Sequence, residues 1–501
     1  MMEAAHVCEK SGRAFRTVFR KQYLLSEDGG FCPEGWTTRR LKRWHLYHCP
    51  ELPVAEIRDA DGRRAGWFLG VGVGQDGGLF PGGGRLPLGQ GAGGFWRAAE
   101  AVIEGVAGRY AAILTDGQEE RIYHDPVCDL SCVYDPVTRC VASSLLVCLQ
   151  RPLERNRRMP HRGPLKGRHN YGLRQTPDRH VLRALPNHYL SLRTFTPVRH
   201  FPRGDESFEA EEGRLDETCE AIAARLQQVM AALLGNFRCV VPVTGGNDSR
   251  NLLACGGAGL RGDHAFFTHH INKMSGFDCM IGQEIGAALG LDVQIVDVLA
   301  AMKAPGFDDE TLQRRRWDLA YATGYQTMGK TSAVPLAKAM APAGDLLLRG
   351  NVMELMRANQ YDKQLLDRFD LRHGLSKLVV APEIDETAVA VWGPDYMMWS
   401  DTLPENTRAR IYDFAFIEQL LPNTMGATLL GPDPQFYMNP FADRGMMCRA
   451  LSLPPETRRT NRMNPAVVGA CAEGLNAIPR TGAFKRDAAS HATYDKMFRA
   501  G

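Results

Sequence analysis

The tightest constraint on this chain is the segment Val243-Thr244-Gly245-Gly246-Asn247-Asp248-Ser249-Arg250. The residues before it, Arg238-Cys239-Val240-Val241-Pro242, are largely apolar and read as a buried strand. Those after it, Asn251-Leu252-Leu253-Ala254, read as the first turn of a helix. Strand, Gly-Gly turn and helix N-terminus make an anion-binding corner. Glycine lets the backbone approach an oxyanion, and the first N–H groups of a helix point outward at the positive end of its dipole. Asp248 beside the corner suits a magnesium ion bridging to phosphate oxygens. The Gly-Lys-Ser/Thr ending of a Walker loop is missing. On these residues alone, a Gly-rich turn capped by Asn247 or Asp248 competes evenly with a nucleotide site.

With 501 residues the chain is long enough for two or three domains. A hydrophobic content of 44% and a charged content of 23% are those of an ordinary globular protein. The net charge of +3 is too small to argue for nucleic acid as a partner. No apolar run reaches the roughly 20 residues that span a bilayer, so no membrane partner is expected. Residues 1–20 carry charges throughout and lack the apolar stretch of a secretory signal. The 13 cysteines follow no framework spacing and are odd in number, which points to reduced thiols and a cytoplasmic protein. Cys128, Cys132, Cys140 and Cys148 could suggest zinc, but their spacing fits small buried thiols in a sheet better.

Residues 1 to about 200 read mainly as β, with strand-like runs at 66–73, 110–115, 121–124, 131–135 and 140–144. Residues 77–94 are Gly-rich loop, and 95–108 has the apolar spacing of a helix. The Arg- and His-rich belt at 151–203 contains Tyr171, Leu173, Val181, Leu185 and Leu190, as expected of a connection packed on a sheet. From about residue 209 the pattern changes. An amphipathic helix at 217–234 precedes the Gly-Gly strand, strands at 264–268 and 292–296 alternate with a helix at 282–289, and 345–350 is a further strand and turn. Such alternation predicts a parallel, doubly wound sheet, and ligands bind these at the carboxyl ends of the strands.

The octapeptide resembles the SGGxDS loop of the ATP pyrophosphatases, or PP-loop enzymes, with Thr244 in place of the first Ser. The order of parts resembles the asparagine synthase family: a glutaminase-like domain of the N-terminal-nucleophile type, then a PP-loop synthetase domain. In the first half the resemblance rests on Gly108-Arg109-Tyr110-Ala111-Ala112-Ile113-Leu114, Asp125-Pro126, Val133-Tyr134, Ala142-Ser143-Ser144 and Leu185-Pro186-Asn187-His188-Tyr189-Leu190. In the second it rests on residues 244–250, Asn439-Pro440-Phe441-Ala442-Asp443 and Ala450-Leu451-Ser452-Leu453-Pro454. It implies an α+β N-terminal-nucleophile-like sandwich over 1–204. An α/β PP-loop (adenine nucleotide α-hydrolase-like) domain with a helical second half would follow over 205–501.

The departures from the family are specific. Position 2 is Met2 where glutamine-dependent members carry a nucleophilic Cys, and Cys8 is the nearest thiol. The glutamine-binding "NGEIYN" has no counterpart, Gly82-Gly83-Gly84 lying roughly there. The second acidic motif, "GEGaDE", falls on Arg349-Gly350-Asn351-Val352-Met353-Glu354, which puts Met353 at the metal-binding Asp and leaves Glu354 as substitute. A thioether is a poor ligand for magnesium. The family's "ExR" is replaced by Phe436 and Met438, and its late catalytic Lys has no clear match; Lys330, Arg462, Lys485 and Arg486 are the candidates.

The resemblance thus implies an ATP-dependent, AMP-forming C–N ligase that makes an amide through an acyl-adenylate, without hydrolysing glutamine. Its cofactors would be ATP and magnesium (Mg2+), and its substrates a small-molecule or peptide carboxylate and an amine. A homodimer is left open. The expected nucleotide contacts are Thr244, Gly245, Gly246, Asn247, Asp248, Ser249, Arg250 and Gly350, with adenine beside Phe267 and Thr268. Asp248 and Glu354 would hold the metal and, with Lys330, serve catalysis. The alternatives are an asparagine synthase using ammonia or glutamine, and a non-catalytic nucleotide-binding or partner protein.

Overall fold

The computed structural model describes residues 2–29, 32–158, 171–206, 208, 214–325, 333–366, 368–379 and 383–498. Its first half carries strands β1 (Tyr23–Ser26), β2 (Thr37–Leu41), β3 (Trp44–His48), β4 (Val54–Arg58), β5 (Arg64–Val73), β6 (Gly84–Arg85) and β7 (Ala107–Thr115). They are followed by β8 (Glu120–His124), β9 (Val133–Asp135), β10 (Cys140–Ala142), β11 (Leu182–Arg183), β12 (His188–Ser191) and β13 (Pro197–Arg199). Two sheets result, in the orders β11-β9-β10-β1-β3-β2 and β13-β12-β8-β7-β5-β4-β6.

Alternation along the strands sorts side chains into layers. Trp67, Leu69, Val71 and Val73 of β5 enter a core shared with Tyr23 and Leu25 of β1 and Val141 of β10. Phe68, Tyr110, Ala112 and Leu114 face the other way, onto Phe95, Ala99 and Ile103 of the helix Phe95–Glu104. On the far face of the six-stranded sheet, Leu24 and Ala142 meet Ala4 and Cys8 of the helix Glu3–Ser11. The order is helix, sheet, sheet, helix. The helix expected over 95–108 stops at Glu104, because Gly105 caps it and β7 begins at Ala107. Gly108, at φ +134°, donates to the Ala442 carbonyl at 2.8 Å, and a Cβ there would lie 2.5 Å from the Val71 oxygen. Cys128, Cys132, Cys140 and Cys148 are buried free thiols in this half.

The second half holds one parallel sheet built from β14 (Cys239–Pro242), β15 (Ala265–His270), β16 (Val293–Asp297), β17 (Leu346–Leu348) and β18 (Phe436–Met438). Their order is β16-β15-β14-β17-β18. The sequence foretold the first four of these strands; β18 is an addition. The helix expected at 217–234 spans Leu215–Asn236 and buries Ile222, Leu226, Val229, Met230 and Leu233. The two sheets of the first half end at Arg199 and the parallel sheet begins at Cys239, either side of the expected boundary at 204–205. One apolar core runs across that division. Polar contacts stitch it too: Arg444 donates to the Asn187 side chain at 2.9 Å and the His124 carbonyl at 3.1 Å. Among the described residues no helix is long and apolar enough to cross a membrane.

Candidate functional site

The chain enters the parallel sheet at β14, adds β15 and β16 on one side, then crosses to place β17 and β18 on the other. The order therefore reverses between β14 and β17, and such a switch point opens a crevice at the carboxyl ends of the strands. Both segments singled out in the sequence lie there: the Gly-Gly corner follows β14, and the turn 349–354 follows β17. The helix after the corner runs Asn247–Gly256, starting one turn earlier than the sequence suggested. Asn247 and Asp248 thus belong to its first turn, where backbone N–H groups have no partner within the helix.

The corner is held by its own hydroxyls. Thr244 Oγ1 and Ser249 Oγ lie 2.8 Å apart, Ser249 Oγ donates to the Thr244 carbonyl at 3.1 Å, and Gly246 N–H donates to Thr244 Oγ1 at 3.3 Å. Gly245 is crowded: a Cβ there would sit 2.5 Å from Ile281 Cδ1 and against the Thr481 side chain, both of which would have to shift. Its N–H donates to Asp278 Oδ1 at 3.1 Å, and the Thr481 hydroxyl donates to the same oxygen at 2.6 Å. Burial raises the Asp278 carboxyl above its usual range, against the lowering effect of these hydrogen bonds and the Lys485 charge. Arg480 Nε donates to Asn247 Oδ1 at 2.7 Å, which brings a guanidinium to the corner's rim.

Asp248 faces the second turn. A Cβ on Gly350 would come within 2.6 Å of Asp248 Cβ and 2.8 Å of its carbonyl carbon, so only glycine allows the two segments to meet. Val352 then takes φ +74°, a left-handed conformation costly for a β-branched residue. The chain continues as the 3-10 turn Met353–Arg357. Met353 points into the core, fully buried, with its Sδ accepting from Asn251 Nδ2 at 3.5 Å. Arg357 Nη2 lies 3.3 Å from both oxygens of Asp248. Burial pushes the Asp248 carboxyl up to about 6; Arg357 pulls it down, and the Glu354 charge pushes it further up. Asp248 Oδ1 and Glu354 Oε2 are buried without hydrogen-bond partners.

No protein-family model and no curated protein matches the chain.

Several expected contacts have other roles. Arg250 is fully buried and gives its donors to the carbonyls of Leu475 (2.7 Å), Ile478 (2.6 Å) and Pro479 (3.0 Å). It positions the strap carrying Arg480 and Thr481, in place of the phosphate contact expected of it. Phe267 and Thr268 are each 1% exposed. The Phe267 ring packs edge-on against His269 at 4.8 Å, its carbonyl accepts from Val243 N–H at 2.8 Å, and Thr268 packs towards Gly282. Their side chains are core residues, so the expected adenine contact would fall to the backbone of this strand. Lys330 lies outside the described residues. Asp278, Arg357, Arg480 and Thr481 escaped the sequence reading, because none sits in a motif and topology alone brings them to the corner.

Proposed function

We propose that the chain is an ATP-dependent, AMP-forming amide ligase of asparagine synthase type, with an N-terminal-nucleophile-like first domain over 1–204 that acts as scaffold. The observation that carries this reading is the meeting, at the sheet's switch point, of the Gly-Gly corner with a turn bearing a second carboxylate. Shifting the resemblance by one residue strengthens it. "GEGaD" then falls on Gly350-Asn351-Val352-Met353-Glu354, which puts Val352, with its positive φ, at the second glycine and Glu354 at the Asp.

The protein's own side chains show what the corner prefers. An anion, Asp278, sits on the Gly245 N–H, and a cation, Arg357, sits on Asp248. Pyrophosphate oxygens at the N–H groups and a metal ion at the carboxylate match those preferences. Asp248 and Glu354 fit magnesium: both offer hard oxygens without hydrogen bonds, and one or two carboxylates plus phosphate are its usual set. When bound, such an ion supplies positive charge to the phosphate oxygens. The N–H groups of residues 245–247 would receive the pyrophosphate, Asp278 releasing Gly245, while Arg357 and Arg480 steady the developing charge. Cys8 lies inside a helix, buried, with its thiol pushed up to about 11, which supports a first domain without a glutamine-cleaving thiol.

One observation favours a second reading, a non-catalytic chain. Asp278 already takes the Gly245 N–H and Arg357 already pairs with Asp248, as a structural hub would require. Calorimetric titration of the full chain with magnesium and ATP separates the two, and absence of binding refutes the ligase. An ATP–pyrophosphate exchange screen over carboxylic acids, aspartate included, then identifies the acid. Exchange with none of them, despite binding, leaves the non-catalytic nucleotide-binding reading in place.

A further inference from the structure

The helix Asn247–Gly256 presents one face to the C-terminal region through residues four apart, Asn247, Asn251 and Cys255. Each meets a partner. Asn247 Nδ2 donates to Asn461 Oδ1 at 3.4 Å, and Asn251 Nδ2 donates to Asn464 Oδ1 at 2.8 Å. The third rung is a pair of thiols: Cys255 Sγ and Cys471 Sγ lie 3.2 Å apart. Cys471 stands near the end of the helix Met463–Ala472 and Asn464 near its start, so two of the rungs tie a pair of packed helices, while Asn461 lies just before the second helix. Cys255 is 3% exposed, whereas Cys471 is only half-buried and open to a small oxidant. The hydrogen bond shared by the pair draws the Cys471 thiol below its ordinary value and raises that of Cys255. The more accessible sulfur is therefore also the better thiolate, the combination that selects the first site of oxidation.

We propose that Cys255 and Cys471 are a redox modification site, in which hydrogen peroxide converts the thiol pair to a disulfide that clamps the helix behind the Gly-Gly corner. The Cys471 thiolate attacks one peroxide oxygen and the O–O bond breaks. The leaving hydroxide takes up a proton to become water, and Cys471 is left as a sulfenic acid. The Cys255 sulfur attacks the Cys471 sulfur, the S–O bond breaks, and a second water departs with the Cys255 proton. In total two thiols lose two electrons and one peroxide gains them. The sulfurs must close by about 1 Å to reach disulfide bonding distance. The inference does not depend on nucleotide binding.

The test treats the full chain with one equivalent of hydrogen peroxide, blocks remaining thiols with N-ethylmaleimide, and maps the digest by mass spectrometry. The expected result is a peptide cross-linked through Cys255 and Cys471. Dithiothreitol abolishes it, and so does Cys471→Ser, a replacement at a half-buried position. Hydrogen exchange over residues 247–256 should slow in the oxidised protein and recover on reduction. Both thiols alkylated after peroxide, or Cys471 carried on to a sulfinic acid with Cys255 still free, would overturn the proposal. A cross-link without slower exchange would overturn the clamp.

Discussion

Replacing Asp248 by Asn separates the stability of the corner from its function. In the folded chain the Asp248 carboxyl titrates at about 6, against an ordinary value of 3.8, because burial and Glu354 outweigh Arg357. A carboxyl whose folded value is raised stabilises the fold while protonated, and that contribution is lost as pH rises through the folded value. Wild-type protein should therefore lose stability between about pH 4 and pH 7, by up to about 3 kcal/mol at 1.36 kcal/mol per pH unit. The side chain is 29% exposed, so solvent screening trims that figure. Asn has the same shape and no charge to bury. Urea unfolding of both proteins at pH 4.5, 5.5, 6.5 and 7.5 should give curves that diverge, with Asp248→Asn the more stable near neutrality by about 1–3 kcal/mol. The same variant should lose binding of magnesium and ATP, since an amide is a weak ligand for a hard cation. Parallel curves, or a variant less stable at pH 7.5, would refute the claim that Asp248 is held against its charge.

Three further substitutions probe the same neighbourhood. Gly350→Ala drives a Cβ into the backbone of Asp248 and should cost about 1–3 kcal/mol in urea unfolding while weakening nucleotide binding. Asp413→Ala strips the partner from Arg458, both side chains being fully buried, and should cost about 3–5 kcal/mol. Arg458 also donates to the Leu355 carbonyl at 2.6 Å, so the turn bearing Glu354 should exchange its amides faster in that variant. Asp278→Asn keeps an acceptor for Gly245 N–H and removes the competing negative charge. Because burial raises the Asp278 carboxyl too, the variant should be slightly more stable near neutral pH, and its calorimetric affinity for magnesium and ATP should rise; a fall in affinity would show that the carboxylate does not compete with phosphate.

The sequence was most legible where a local pattern determines structure. β14, β15, β16 and β17 were found because short apolar runs bounded by Gly or Asp have few other readings. β18 went unnoticed, since three buried residues, Phe436-Tyr437-Met438, show no alternation and pair only across the chain with β17. The helix after the corner was begun at Asn251 because Asn247 and Asp248 look like turn residues. They are the first helical turn, and their polar side chains are used there, Asn247 by Arg480 and Asp248 by Arg357. Asp278, 33 residues from Gly245, and Arg480, 233 residues from Asn247, could not be found by any local rule.

On the proposed reading, Glu354 stands where the letters of a motif have vanished and its geometry has not. The letters of the second acidic segment match poorly, and aligned without the structure they set Met353 against the metal position. On that reading, backbone conformation favours Glu354 for that position instead. Gly350 lets the turn touch Asp248, and Val352 at φ +74° bends the chain as glycine commonly does. A positive φ at Val costs on the order of 1–3 kcal/mol, a cost met here by full burial of Val352 and Met353 in the core. With the bend in place, the Glu354 charge two residues on is felt at Asp248, where it pushes the carboxyl up. What a glycine does in such a turn is conformational, so another residue can do it wherever packing supplies the energy, and a pattern search that asks for the letter will miss it.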